Sequence, residues 1–231
     1  MMMAKIDHKA WMEQPRMLNE RCRGLPLIWT PDVQWFNNDW LGPTPHVHDE
    51  ATEIGFMAQG SLEIQIGGSK RVYKTGDFMI MPPKKYHNYW FKGDETVCFF
   101  VVVAPNNKYN RLRAKDFTPD CYEGDAPYAN VYETDQLPSN EHFQSEKVTL
   151  QSGESEGSRK LDVQDRVIYV VSGTALVQVN TLSGVLAANR YQLIPATTPH
   201  QITNAGFEPL VYISLIITDP FTAHAVLEHD A

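Results

Sequence analysis

The sequence predicts an all-β chain built as two similar units, and three observations carry that prediction. The first is an internal repeat. An offset of 113 positions lays "GSLEIQIGG" from Gly60 on "GTALVQVNT" from Gly173, and "GDFMIMPPKKYHN" from Gly76 on "NRYQLIPATTPHQ" from Asn189. In the same register Pro82 meets Pro195, His87 meets His200, and the apolar run 97–103 meets 210–216. The second is that each copy is a series of short runs, alternating in polarity or rich in β-branched and aromatic residues, divided by Gly, Pro, Asn and Asp. The third is that neither copy holds a sustained 3.6-residue period. Short antiparallel strands closing into a sandwich or barrel are the expected result.

In chain order, "MMMAKIDHKAWMEQPR" has no apolar core of signal-peptide length, which leads us to expect a cytoplasmic protein. "LEIQI" and "VYKTGDFMIMP" read as strands around the turn "GGSK". "TVCFFVVVAP" (96–105) and "LVYISLIIT" (210–218) are half the length needed to cross a bilayer and read as buried strands. The polar, turn-rich stretch 105–142 is expected to connect the units over the surface. The first barrel is assigned to 1–125 and the second to 126–231. Cys22, Cys98 and Cys121 form no CxxC pair and fit a reduced compartment, with Cys98 a small core residue.

A net charge of −8 over 231 residues argues against nucleic acid or an anionic membrane as partner. Apolar and charged contents of 42% and 21% are those of an ordinary globular protein. The expected partner is a small-molecule substrate, with a monomer and a homodimer both open.

The chemistry concentrates in "PHVHDEATEIGFMAQG" (45–60). His46 and His48 alternate onto one side of a strand. Glu53 opens the next strand, with Asp49 and Glu50 competing for the carboxylate role. His87 follows Pro82 in "PPKKYHNYW". In the second copy these positions become Arg159, Leu161, Arg166 and His200. Two arginines would repel a metal, so the second unit keeps the frame without the site. They are expected to salt-bridge nearby acids such as Asp162 or Asp165, and the alternative is a pocket for a carboxylate or phosphate.

The spacing His46-x-His48-x4-Glu53-x6-Gly60, followed by Gly76-x5-Pro82-x4-His87, resembles the two signature motifs of the cupin superfamily. Lys84 departs from the second motif, which usually has glycine there. The resemblance implies two tandem jelly-roll-like, double-stranded β-helix barrels. It also implies one metal site held by His46, His48, Glu53 and His87. Such a donor set suits Fe(II), with Mn, Ni, Cu or Zn as alternatives.

By similarity to two-domain cupin dioxygenases, the leading expectation is an iron-dependent oxidoreductase acting on a small aromatic or enolisable substrate. Glu53 would dissociate or act as a base there. The alternative is an isomerase, lyase or decarboxylase of a sugar or small acid with Mn, Ni or Zn, and Tyr86 or a free carboxylate as its base. A non-catalytic binding protein is the third reading. Trp35, Asn37, Gly55, Met57 and Trp90 are the candidate pocket residues; glycine would leave space beside Glu53, and the rings would suit a flat ligand.

Overall fold

The computed structural model describes residues 6–7, 11, 23–29, 45–90, 94–105, 111–112 and 114–218. The regular structure of the described residues is almost entirely strand, as the alternating runs predict. They divide into two compact units, Met1–Thr134 and Asp135–Ala231.

The first unit holds β1 (Arg23–Trp29), β2 (Val47–His48), β3 (Thr52–Gln59), β4 (Ser61–Ile66), β5 (Ser69–Lys74), β6 (Asp77–Met81), β7 (His87–Trp90), β8 (Val97–Ala104), β9 (Arg111–Leu112) and β10 (Tyr128–Asn130). One antiparallel sheet runs β1-β8-β3-β6-β10 and another β5-β4-β7, with β2 paired to β9. The second unit holds β11 (Phe143–Leu150), β12 (Ser155–Arg159), β13 (Asp165–Ser172), β14 (Thr174–Val179), β15 (Leu182–Ala187), β16 (Tyr191–Ile194), β17 (His200–Asn204) and β18 (Leu210–Ile217). Its sheets run β11-β18-β13-β16 and β12-β17-β14-β15.

Alternation explains each core. In the first unit Leu62, Ile64 and Ile66 of β4 and Tyr89 of β7 meet Met57, Met79, Phe99, Val101 and Val103 from the larger sheet. In the second, Ala175, Val177 and Ile202 meet Ile168, Val170, Ile194 and Tyr212. β8 is buried along its whole length, which is why 97–103 reads as a continuous apolar run rather than an alternating one.

The repeat is kept in backbone detail. Both copies bulge at the same place, between Met57 and Gln59 and between Val170 and Ser172. Left-handed residues also recur in register: Gly60 with Gly173, Gly67 with Asn180, Gly76 with Asn189, and Lys84 with Thr197. Lys84, which replaces the usual glycine, adopts φ 62° and so keeps the turn that glycine would make.

The connecting stretch does more than cross the surface. Residues 114–116 and 119–122 form short 3-10 turns, and Tyr128–Asn130 adds β10 to the open edge of β6. Asp77 anchors this strand by accepting from Asn130 Nδ2 at 2.7 Å and the Tyr128 hydroxyl at 3.1 Å. An uncovered β6 edge would leave backbone groups unpaired, which is the physical reason for this extra strand.

Candidate metal centre

His46, just before β2, forms a two-way backbone bridge with His87, N to O at 3.1 Å and 3.0 Å, so the two imidazoles start from paired backbone positions. His48 lies two residues on, in β2. Glu53 sits on the central strand β3, opposite Met81 on one side and Val103 on the other. The Lys84 turn is tied to the first motif, its N–H donating to the His48 carbonyl at 2.6 Å. One ligand-type atom from each of His46, His48, Glu53 and His87 lies within 4.8 Å of all the others. Relative exposure is 4%, 5%, 0% and 1% in that order, so the cluster is buried and needs internal charge compensation.

The carboxylate atom that faces the histidines is Glu53 Oε2. It lies 3.1 Å from His48 Nε2, 3.3 Å from His87 Nε2 and 3.9 Å from His46 Nε2. The two remaining imidazole nitrogens, His46 Nε2 and His87 Nε2, are 2.8 Å apart. His87 Nδ1–H donates to the Lys85 carbonyl at 3.0 Å, which fixes the tautomer and turns the Nε2 lone pair inward. Burial, with His87 nearby, pushes His46 down to about 3, so its ring is neutral at pH 7. Burial alone would raise the Glu53 pKa. The imidazole of His87, with His46 and His48 beside it, outweighs that and holds the carboxyl well below its usual range. Three imidazole nitrogens and an ionised carboxylate converging in a buried space are the donor chemistry of a divalent transition-metal site, so the residues present fit such an ion.

The structure distributes the other expected site residues differently. Asp49 is half-buried at 3.9 Å from Lys84 Nζ and Glu50 is exposed, which leaves Glu53 as the carboxylate of the cluster. Gly55 opens no pocket, because a Cβ there would collide with the Phe99 ring. Met57 is fully buried in the core. Trp90 stands opposite Glu63 on the outer face of its sheet, with Lys70 Nζ 4.2 Å from its ring centre. Alternation along β7 sends His87 and Tyr89 inward and Trp90 outward. Tyr86 stacks on the connecting stretch, 4.8 Å from Tyr122 and 6.1 Å from Phe117 between ring centres. Trp35 and Asn37 lie outside the described residues.

The hydroxyl at the centre belongs to Tyr89 instead, which donates to Glu53 Oε1 and lies 3.4 Å from Met81 Sδ. The sequence carried a signal for it: Tyr89 is two residues past His87, on the same face.

The second unit fills the corresponding space with protein. Arg166, in the register of Glu53, is fully buried. Its Nη1 and Nη2 donate to the two oxygens of Glu156 at 2.7 and 2.9 Å, and its Nε to Ser214 Oγ at 2.8 Å. Nη1 also lies 3.1 Å from His200 Nε2, whose Nδ1–H donates to the Thr198 carbonyl at 2.9 Å. The Tyr212 hydroxyl donates to Glu156 Oε2 at 2.7 Å. Arg159 adds contacts to Glu156 at 3.7 Å and Glu146 at 3.4 Å. Both arginines therefore pair with acids, as expected, but with Glu156 and Glu146 rather than Asp162 or Asp165. Asp165 instead accepts the Ala196 N–H at 2.8 Å.

Comparisons with known proteins agree with this geometry. Residues 38–103 and 146–216 each match the cupin domain family. The pectin degradation protein KdgF of Dickeya dadantii is 43% identical over 85 residues, which cover 35% of this chain and 73% of that protein. Among solved structures, oxalate decarboxylase from Bacillus subtilis superposes with a TM-score of 0.56 at 15% identity, covering 87% of this chain and 68% of that one. A variant of the salicylate 1,2-dioxygenase from Pseudoaminobacter salicylatoxidans, in complex with gentisate, gives 0.66 at 14% identity, covering 90% and 71%. At such identities the likeness to the solved structures is one of fold.

Proposed function

The chain belongs to the cupin family, with two cupin domains, and from that premise we propose that its first domain is a metal-dependent enzyme centre for a small, oxygen-rich organic acid of the kind released from pectin. The observation that carries this reading is the His46, His48, Glu53 and His87 cluster in a chain that is 43% identical to a pectin degradation protein over 85 residues, 35% of its own length. A divalent ion bound there would supply Lewis acidity toward a carbonyl or carboxylate oxygen. The chain's own part is to offer three inward-facing imidazole nitrogens and one ionised carboxylate oxygen. It also buries them, so that charge interactions are strong. This reading favours a non-oxidative isomerase or lyase reaction, with Mn, Ni or Zn as candidate ions.

A second reading is the iron-dependent dioxygenase. It is favoured by the apolar side chains at the cluster: Met81 stands opposite Glu53 with its Sδ 3.4 Å from the Tyr89 hydroxyl, and the Tyr89 ring packs on Phe99. The same four donors suit Fe(II).

One experiment tests the first reading and separates it from the second. The protein is purified without added metal or chelator and analysed for metal beside the His46→Ala/His48→Ala double variant. It is then incubated anaerobically with uronate products of pectin depolymerisation, and NMR follows the substrate. About one bound ion per chain, lost in the double variant, with turnover that persists without oxygen, is the expected result. Oxygen uptake that tracks turnover would move the assignment to the dioxygenase. No metal after reconstitution would overturn both.

A further inference from the structure

We propose that Tyr89 is a positioning residue that makes Glu53 a one-oxygen donor, an inference that rests on the metal-centre reading above. The two oxygens of Glu53 have different surroundings. Oε2 faces His48, His87 and His46 at 3.1, 3.3 and 3.9 Å. Oε1 accepts the Tyr89 hydroxyl. A fully buried carboxylate must have both oxygens satisfied, and here one is committed to the hydroxyl while the other points at the nitrogens.

Tyr89 is held firmly enough to do this. Its ring is 2% exposed, and its centre lies 5.6 Å from that of Phe99 and 6.1 Å from that of His87. Its backbone is paired with Ile64 in the middle of β4. The hydroxyl therefore approaches Oε1 from a rigid strand, not from a loop.

The internal repeat supplies an independent observation. At the offset that superposes His87 on His200 and Glu53 on Arg166, Tyr89 falls on Ile202. Ile202 is fully buried in the second core. Where the carboxylate has become a cation, the hydroxyl donor has no acceptor to serve and is absent. The buried glutamate of that unit, Glu156, is served by a different hydroxyl, that of Tyr212. Tyr89 thus accompanies Glu53 and not the barrel as such.

The test uses the full chain, stripped with chelator and titrated with cobalt(II). Tyr89→Phe keeps the ring packing and removes the hydroxyl. It should weaken cobalt binding about 10–100-fold. It should also change the visible d–d bands, as Glu53 becomes free to bring both oxygens to the ion. In a Glu53→Ala background the same substitution should add no further loss of affinity. A measurement on the unmodified protein guards against a variant that fails to fold: in 13C-glutamate-labelled, cobalt-loaded protein, the infrared carboxylate stretches of the band absent from Glu53→Ala should be widely split, the mark of one-oxygen coordination. Unchanged affinity and bands in Tyr89→Phe, an equal loss in both backgrounds, or a narrow splitting would each overturn the positioning role. If the unmodified protein binds no cobalt, the metal-centre reading falls, and this role falls with it.

Discussion

Gly55 illustrates how a residue can be necessary for what it lacks. The Phe99 ring occupies the volume that a Cβ at this position would need, one strand away from Glu53. Gly55→Ala should therefore destabilise the first unit by about 1–3 kcal/mol, as overpacking does, and denaturant unfolding will measure it. Glu156 supports a second prediction at this scale. Burial alone would raise its pKa, but the bonds and charge of Arg166 lower it below the ordinary carboxylate value. A carboxyl whose folded pKa lies below its unfolded one stabilises fully above the unfolded value, about 4.3. That contribution then drains away as pH falls through the folded value. Glu156→Gln should flatten this acid limb of stability. At pH 7 it should destabilise the second unit by about 3–5 kcal/mol, because Arg166 is left buried with an uncompensated charge. Urea melts between pH 3 and 7 on both proteins check the sign.

At the scale of elements, the turn before His87 is the clearest case of a frame held by backbone geometry. Lys84 and Thr197 occupy it in the two copies with the same left-handed φ of 62°, and each N–H donates across to the first motif at 2.6 Å, to His48 and to Leu161. A lysine there bears strain that glycine would not. Glycine in turn loses more freedom on folding. Lys84→Gly should come out stabilising by about 0.5–1 kcal/mol, and Lys84→Val destabilising by about 1 kcal/mol or more, in thermal melts. The strands and turns of both barrels were legible because each turn repeats at a fixed offset and each strand alternates. β10 was not legible, since the short run Tyr128-Ala129-Asn130 becomes a strand only when an open β6 edge receives it. The site was legible as far as its four donors, through the resemblance of their spacing to the cupin motifs. Tyr89 was harder to see: "YHNYW" offers tyrosines on both sides of His87, and only the strand direction decides that Tyr89 faces Glu53 while Tyr86 stacks on Tyr122.

For the whole molecule, the two units answer metal differently. The described residues of the first hold the donor cluster, and the second has Arg166 in the matching register. An ion at a hundredfold excess over its dissociation constant stabilises the folded form by about 2.7 kcal/mol. Hydrogen exchange followed by mass spectrometry should show that gain as added protection across 46–59 and 87–104, with peptides from 155–217 unchanged. Protection spreading equally to both would contradict a single centre. Among the described residues no helix is long and apolar enough to cross a membrane. A guanidinium is a cation that never dissociates from its chain, whereas a bound ion must be captured again by every newly made copy. The second barrel thus completes its interior during folding from its own side chains. On the proposed metal reading, a cell starved of transition metals would still hold that half finished, while the first half waited for its ion.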